Sequence, residues 1–187
     1  MAFPALDEER RVCLSRARGR VLEVGFGTGR NLPWYPKAVE RVVAVDPSGE
    51  SMKLSRRRIA HAGFPVEYVR LAGEDIDAPE HSFDCVVSTF TLCSIPDPAA
   101  ALRQMRRVLK PGGELLFAEH GLAPDRGVQQ WQHRLNRLQK LLFGGCNLNR
   151  DTRKLLTAAG FNLEAADEYY VPGVPKLAGF LTRGVAT

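Results

Sequence analysis

A glycine run, three carboxylates and a histidine carry the chemistry open to this chain. The run is Val21-Leu22-Glu23-Val24-Gly25-Phe26-Gly27-Thr28-Gly29, and Val42-Val43-Ala44-Val45-Asp46 follows it. Each segment starts as an apolar strand. The first enters a turn where glycine lets the backbone bend sharply and approach a ligand, and the second ends in a carboxylate. Side by side they make a pocket for a nucleoside-bearing cofactor, with Asp46 accepting hydrogen bonds from ribose hydroxyls. Spacing then selects among cofactors. A dinucleotide turn needs G-x-G-x-x-G, which would put a third glycine at position 30, where Arg30 stands. Glycines 25, 27 and 29 give G-x-G-x-G, a turn with no requirement to cradle a pyrophosphate.

Ligands of parallel sheets gather at the carboxyl ends of the strands. That rule also selects Glu119 and His120, expected just past the fifth strand. His120 is the natural general base, because its reference pKa of about 6.5 suits neutral pH; the competing reading is a histidine that bonds a loop carbonyl. The cysteines at 13, 85, 93 and 146 form no C-x-x-C pair and have no companion histidine spacing, which argues against zinc and for no metal. Cys146, in a glycine-rich loop, is expected as pocket lining rather than as a catalytic group.

The elements that must position these residues alternate apolar runs with helical periods. This predicts an α/β fold, a Rossmann-like and mainly parallel sheet with helices on both faces. A helix over 5–18 precedes strand 20–24, and a short helix over 30–35 precedes strand 41–45. Ser48 is placed to cap the next helix. Strands 66–71 and 83–88, a helix over 98–109 and strand 114–118 follow, with Lys110-Pro111-Gly112-Gly113 as a breaker before the last of these. Helices over 128–143 and 151–159 lead to strands 162–170 and 176–184, joined by a short connection that implies an antiparallel hairpin. No repeat or linker divides the chain, so one domain over 1–187 is expected, with 121–150 inserted on the substrate side. Trp131, Leu135, Leu138 and Leu142 make one apolar stripe, expected to pack on the sheet; a basic amphipathic helix touching lipid is the sharper alternative.

Composition removes several classes of function. A chain of 187 residues, 44% hydrophobic and 25% charged, can bury one substantial core. No run of about 18 apolar residues is present, so no membrane span is expected. Residues 1–20 have no apolar signal-peptide centre and carry Asp7, Glu8 and Glu9, and a reduced, cytoplasmic setting is expected. The formal charge of +5 raises the question of nucleic acid. Its arginines are dispersed and lack the interleaved aromatics that stack bases, which argues against such a partner. No oligomeric state follows from these patterns.

Taken together, the G-x-G-x-G turn, the acid-tipped second strand, Ser82-Phe83-Asp84-Cys85-Val86-Val87 and Arg107-Val108-Leu109-Lys110-Pro111-Gly112-Gly113 resemble the class I S-adenosylmethionine (SAM) methyltransferases. The resemblance runs from Val21 to about Leu181. It implies a seven-stranded sheet with an antiparallel C-terminal strand, and SAM as cofactor with S-adenosylhomocysteine as product. By the same resemblance Gly25, Gly27 and Gly29 wrap the methionine and ribose portion, Glu23 beneath them helps hold the ammonium, and Asp46 takes the ribose. Met52, Gly73 and Glu74 then border the adenine, and Thr89 lies near the amino-acid end.

A narrower likeness lies in Leu92-Cys93-Ser94, Phe117-Ala118-Glu119-His120 and Leu142-Phe143-Gly144-Gly145-Cys146-Asn147-Leu148. These are similar to segments of the methyltransferase-like group that methylates alkyl thiols at microsomal membranes. The resemblance implies a small-molecule acceptor, foremost an apolar thiol. Bacterial phospholipid N-methyltransferases share much of the framework and keep phosphatidylethanolamine as the alternative. Two departures stand out: that group's hydrophobic N-terminal anchor is not found here, and Phe26 replaces its usual cysteine, a change expected to reshape the methionine end of the pocket.

Overall fold

The computed structural model describes residues 4–142 and 144–187. The start of the expected N-terminal segment (1–3) and the Phe143 end of the expected fourth helix lie outside the described residues. The strands are β1 (Gly19–Val24), β2 (Val39–Val45), β3 (Val66–Val69), β4 (Phe83–Thr89), β5 (Leu109–His120), β6 (Leu163–Tyr170) and β7 (Phe180–Ala186). They form one sheet in the order β3-β2-β1-β4-β5-β7-β6. The first five pair in parallel, and β7 runs antiparallel to both of its neighbours. The expected Rossmann-like α/β sheet with its antiparallel C-terminal strand is observed.

The helices are α1 (Pro4–Cys13), α2 (Gly49–Ala60), α3 (Pro98–Val108), α4 (Arg126–Leu142), α5 (Thr152–Ala158) and the single turn α6 (Lys176–Gly179). Central strands read as unbroken apolar runs because both faces are covered. On one face Leu22, Val86, Leu115 and Phe117 pack with Leu102, Met105 and Leu156 from α3 and α5. On the other, Val21, Val42, Val87 and Leu116 meet Cys13 and Leu14 at the end of α1. The edge strand β6 exposes Glu164, Asp167 and Glu168, charges that discourage pairing with another chain. Ser48 caps α2 as expected, accepting the Ser51 N–H at 3.1 Å, and Asp97 and Asp151 do the same for α3 and α5.

Three expectations change. Pairing of β5 begins at Leu109, five residues early: Leu109 sits opposite Phe83 and Glu114 opposite Cys85. Residues 110–113 therefore bulge outward against one residue of β4, Asp84, because Pro111 has no N–H for the ladder and the glycines bend freely. At its other end β5 also runs further than expected. Glu119 and His120 are the last two residues of β5, paired with Thr182 and Leu181, and do not lie beyond it. Second, the hairpin connection is longer, since Lys176–Gly179 coils into a turn started by Pro175 and β7 begins only at Phe180.

The third change concerns α4, whose apolar stripe does not pack on the sheet. Trp131 is 55% exposed, Leu138 53%, Leu141 81% and Leu142 63%. The buried side of the helix is polar instead. Gln132 is fully enclosed; its Nε2 donates to the Gly121 and Leu177 carbonyls, and its Oε1 accepts the Ala123 N–H, each at 3.0 Å. Asn136 Oδ1 accepts the Leu148 N–H at 2.8 Å. Side-chain amides fasten this helix to the body by satisfying loop backbone, which frees the apolar stripe from packing.

Candidate functional site

A cleft of about 860 Å³ opens at the carboxyl ends of β1, β2 and β4. Gly25, Gly27, Asp46, Gly73, Glu74 and Thr91 line it, along with Phe90, Ser94 and Gly144. Sheet order explains the location, because the chain leaves β1 for β2 and β3 on one side and then crosses over to β4 on the other, and loops part there. Gly25 has φ +75°, and a Cβ on it would stand 2.1 Å from the Thr91 side chain. Gly27 has φ +54°, and its missing Cβ would meet nothing closer than the Gly25 carbonyl at 3.9 Å. That glycine faces the cleft, and its bareness is room for a ligand. Asp46 Oδ2 accepts the Gly27 N–H at 2.8 Å and Oδ1 the Ser48 N–H at 2.9 Å. Each oxygen keeps a lone pair for a ribose hydroxyl. These residues fit the nucleoside end of SAM.

Five of the expected cofactor contacts are not among the residues that line this cleft. The Phe26 ring is buried away from the cleft, edge-on to Tyr68 at 5.7 Å and beside Leu32, so the replaced cysteine position points into the core. Gly29 packs against that same ring. Met52 is not among the lining residues, where Ser51 of the same turn stands instead. Thr89 and Glu23 sit under the glycine loop. Glu23 is 2% exposed; Oε1 accepts from Asn31 Nδ2 at 2.9 Å and Oε2 from the Tyr35 hydroxyl at 2.7 Å. Arg10, from α1, donates to Asn31 Oδ1 and Thr89 Oγ1, both at 2.8 Å. Burial pushes the Glu23 carboxyl up to about 7, against the pull of Tyr35, Arg10 and Asn31. No spacing in the chain points to Arg10 or Asn31.

On the far wall Glu119 and His120 part company. Glu119 is fully buried: Oε1 accepts from Ser88 Oγ at 2.8 Å, and both oxygens accept the Thr91 N–H, at 3.0 and 2.9 Å. Burial raises its carboxyl against those bonds. It positions the β4 loop and does not face the cleft. His120 Nε2 lies 3.0 Å from Cys146 Sγ, while its buried Nδ1 finds no partner among the described residues. Cys93 completes a group whose donor atoms all lie within 4.8 Å of one another. The Cys93 thiol beside it and His120 hold the Cys146 thiol down despite burial, whereas Cys93 is pushed up by Cys146 and by burial. Spacing argues against a metal centre, yet the fold brings thiols and an imidazole from positions 93, 120 and 146 together, a juxtaposition that ligand-spacing patterns do not see.

Comparison with known proteins decides the family. The methyltransferase domain profile matches residues 22–117. The chain belongs to the methyltransferase domain family. It is 40% identical over 147 residues to the human thiol S-methyltransferase TMT1A, an alignment covering 76% of this chain and 59% of that protein. It is 38% identical over 111 residues to the phosphatidylethanolamine N-methyltransferase of Cereibacter sphaeroides, covering 58% and 54%. The chain thus spans less than two thirds of the length of these relatives. Among solved structures, an S-adenosylmethionine dependent methyltransferase from Mesorhizobium loti shares the fold with a TM-score of 0.72 at 22% identity, covering 98% of this chain and 95% of that one.

Two outcomes follow from this geometry. Asp46→Ala should weaken SAM binding by about 1–3 kcal/mol in calorimetry, since it removes hydrogen bonds to a charged acceptor; unchanged affinity would remove Asp46 from the cofactor site. For Glu23 the folded value of about 7 lies above the ordinary 4.5, so the folded chain keeps a proton that the unfolded chain releases between them. Its contribution to stability is complete below the lower value and is lost as pH rises through the higher. Urea unfolding should therefore show the natural protein losing more stability between pH 5 and 7.5 than Glu23→Gln. Parallel curves for the two would contradict this.

Proposed function

We propose that the protein is a SAM-dependent methyltransferase whose acceptor is a small, apolar thiol, converted to its S-methyl thioether. One observation carries the reading. The three segments that resemble the thiol methyltransferase group, around Cys93, Glu119-His120 and Cys146, lie far apart in the chain and converge in one wall beside the cofactor cleft. The identity to TMT1A supports the same acceptor. The chain acts as one domain, with residues 121–150 supplying the acceptor side.

SAM supplies the methyl group on a sulfonium, which makes it both electrophile and leaving group. The protein then has to orient the acceptor sulfur in line and keep water away. A thiol with reference pKa about 8.5 is already a few per cent thiolate at neutral pH and needs little proton abstraction. In this reading His120 serves the acceptor side, and Glu119 acts by holding Thr91 in position. Four free cysteines accord with a reduced, cytoplasmic setting.

A lipid surface is the second partner proposed. Among the described residues no helix is long and apolar enough to cross a membrane. The exposed stripe of α4 is flanked by Arg134, Arg137 and Lys140, all exposed, with the Arg134 guanidinium 5.5 Å from the Trp131 ring centre. Apolar side chains bordered by cations match an anionic bilayer surface, and such contact would bring the cleft to acceptors dissolved in lipid.

The acceptor is tested by a screen of alkyl and aryl thiols beside phosphatidylethanolamine vesicles, a catechol and an amine, with labelled SAM. Label should enter thioethers; turnover on vesicles with none on any thiol would refute the reading. Sedimentation with anionic vesicles tests the surface. Exchanging Trp131 and Leu141 together for glutamate should cut binding roughly tenfold or more while water-soluble thiols are methylated as before. Retained binding would exclude α4 as the contact.

A further inference from the structure

Cys93, His120 and Cys146 come from the loop after β4, the last position of β5 and the loop after α4. Two thiols and an imidazole are the donor set of a borderline-soft cation, and Cys₂His with one open position is among the known catalytic zinc arrangements. We propose that these three residues form a Zn²⁺ site whose fourth position takes the thiolate of the methyl acceptor.

The geometry is close to what the ion needs. With Zn–S about 2.3 Å and Zn–N about 2.0 Å, tetrahedral ligands stand about 3.8 Å apart for two sulfurs and about 3.5 Å for sulfur and nitrogen. All three donors already fall within 4.8 Å of each other. The His120–Cys146 pair at 3.0 Å has to open by about half an ångström, a small side-chain rotation.

The surroundings fix the backbone, and the donors meet chiefly one another. Asn147 gives both its backbone N–H and its Nδ2 to the Cys93 carbonyl, each at 2.8 Å, which ties the two cysteine loops together. Arg150 Nη1 holds the Ile95 carbonyl at 2.7 Å and also that of Leu92. Glu119 pins Thr91 on the third side. Cys93 Sγ, by contrast, makes only long contacts outside this group, to the Phe90 carbonyl at 3.8 Å and Ser94 Oγ at 3.4 Å. His120 Nδ1 has no partner among the described residues. Clamps of this kind, which act beside soft donors rather than on them, are what preorganises a first coordination shell.

Access comes from the cleft. Ser94, next to Cys93, and Gly144, two residues before Cys146, both line it, while Cys93 and Cys146 themselves are buried. The acceptor thiol releases its proton to solvent on ligation. Its sulfur then forms the new S–CH₃ bond as the C–S bond of the sulfonium breaks and its electron pair leaves with neutral S-adenosylhomocysteine. Only this last step rests on the thiol reading.

Anaerobic titration of the reduced protein with Co²⁺ tests the site independently of activity. One Co²⁺ per chain is expected, with the intense visible bands of a tetrahedral centre and thiolate-to-cobalt charge transfer, reversed by Zn²⁺. Cys93→Ser and Cys146→Ser should each weaken binding at least about tenfold, whereas Cys13→Ser and Cys85→Ser, buried elsewhere, should leave the spectrum as it was. Adding a small alkyl thiol should strengthen the charge-transfer band as another sulfur joins the ion. Absence of a stoichiometric tetrahedral spectrum in the natural protein, or one that survives in Cys146→Ser, overturns the site. A spectrum indifferent to thiol overturns the open position. If the spectrum responds to thiol yet methyl transfer occurs only to another acceptor, the functional reading fails and the site stands.

Discussion

The grip of Glu119 on the Thr91 N–H is the contact on which the cleft depends. Thr91 packs so closely on the glycine turn that Gly25 has no space for a Cβ, and Phe90 just before it is held at φ +54°, a conformation bulky residues avoid. Such backbone costs about 1–3 kcal/mol and persists only where its surroundings over-determine it. Here the determinants are visible: the carboxylate of Glu119, the Ser88 hydroxyl that orients it, and the Phe90 N–H on the Ala118 carbonyl at 2.9 Å. A charge-capable group buried at the end of a central strand is costly unless its oxygens are used. Both are used, and the bonds fall on the segment that separates the cofactor side from the Cys93–His120–Cys146 side.

Beneath the glycine turn a second polar network does the complementary task. Glu23 lies in a strand whose neighbours are apolar, on the face that α1 covers. A lone carboxylate there would be intolerable, so Asn31, Tyr35 and, through Asn31 and Thr89, Arg10 converge on it. This gives α1 a role that its weak pattern conceals, for it delivers the cation that balances the floor of the cleft. Arg10 also lies over the Phe90 ring, 4.8 Å from its centre, so the two networks meet at the strained residue.

What the sequence revealed and what it hid divide along the range of the interactions. The strand runs of β1, β2 and β4, the glycine turn, the position of Asp46 at the end of β2 and the Ser48 cap are local patterns, and each lies where local reasoning puts it. Placement of Phe26 and Met52 depends on which side of a turn the chain shows the cleft, and periodicity does not resolve that within one residue. The β5 bulge was hidden because Pro111-Gly112-Gly113 has the composition of a loop, although pairing resumes on both sides of it. The α4 stripe misled for a physical reason. Apolar spacing marks the side that avoids water only when that side has somewhere to pack; here Gln132 and Asn136 offer the loops hydrogen bonds that leucines do not, and the amides took the inner position.

The same division explains why the cysteines read as inert. Metal-ligand signatures are short because most come from one turn or one hairpin, where two donors share a local geometry. In a doubly wound sheet the donors at the carboxyl edge belong to successive loops, and their spacing in the chain is the length of a crossover. From Cys93 to His120 the chain runs through α3 and β5; from His120 to Cys146 it runs through α4. Neither interval carries a motif; the first returns the chain to the same edge because β4 and β5 are parallel, and the second returns through α4 with no strand between. Chemistry that depends on convergent loops is therefore legible only after the topology is known. The residues that make it so, Asn147 and Arg150, look like ordinary polar loop positions until the carbonyls they hold are seen.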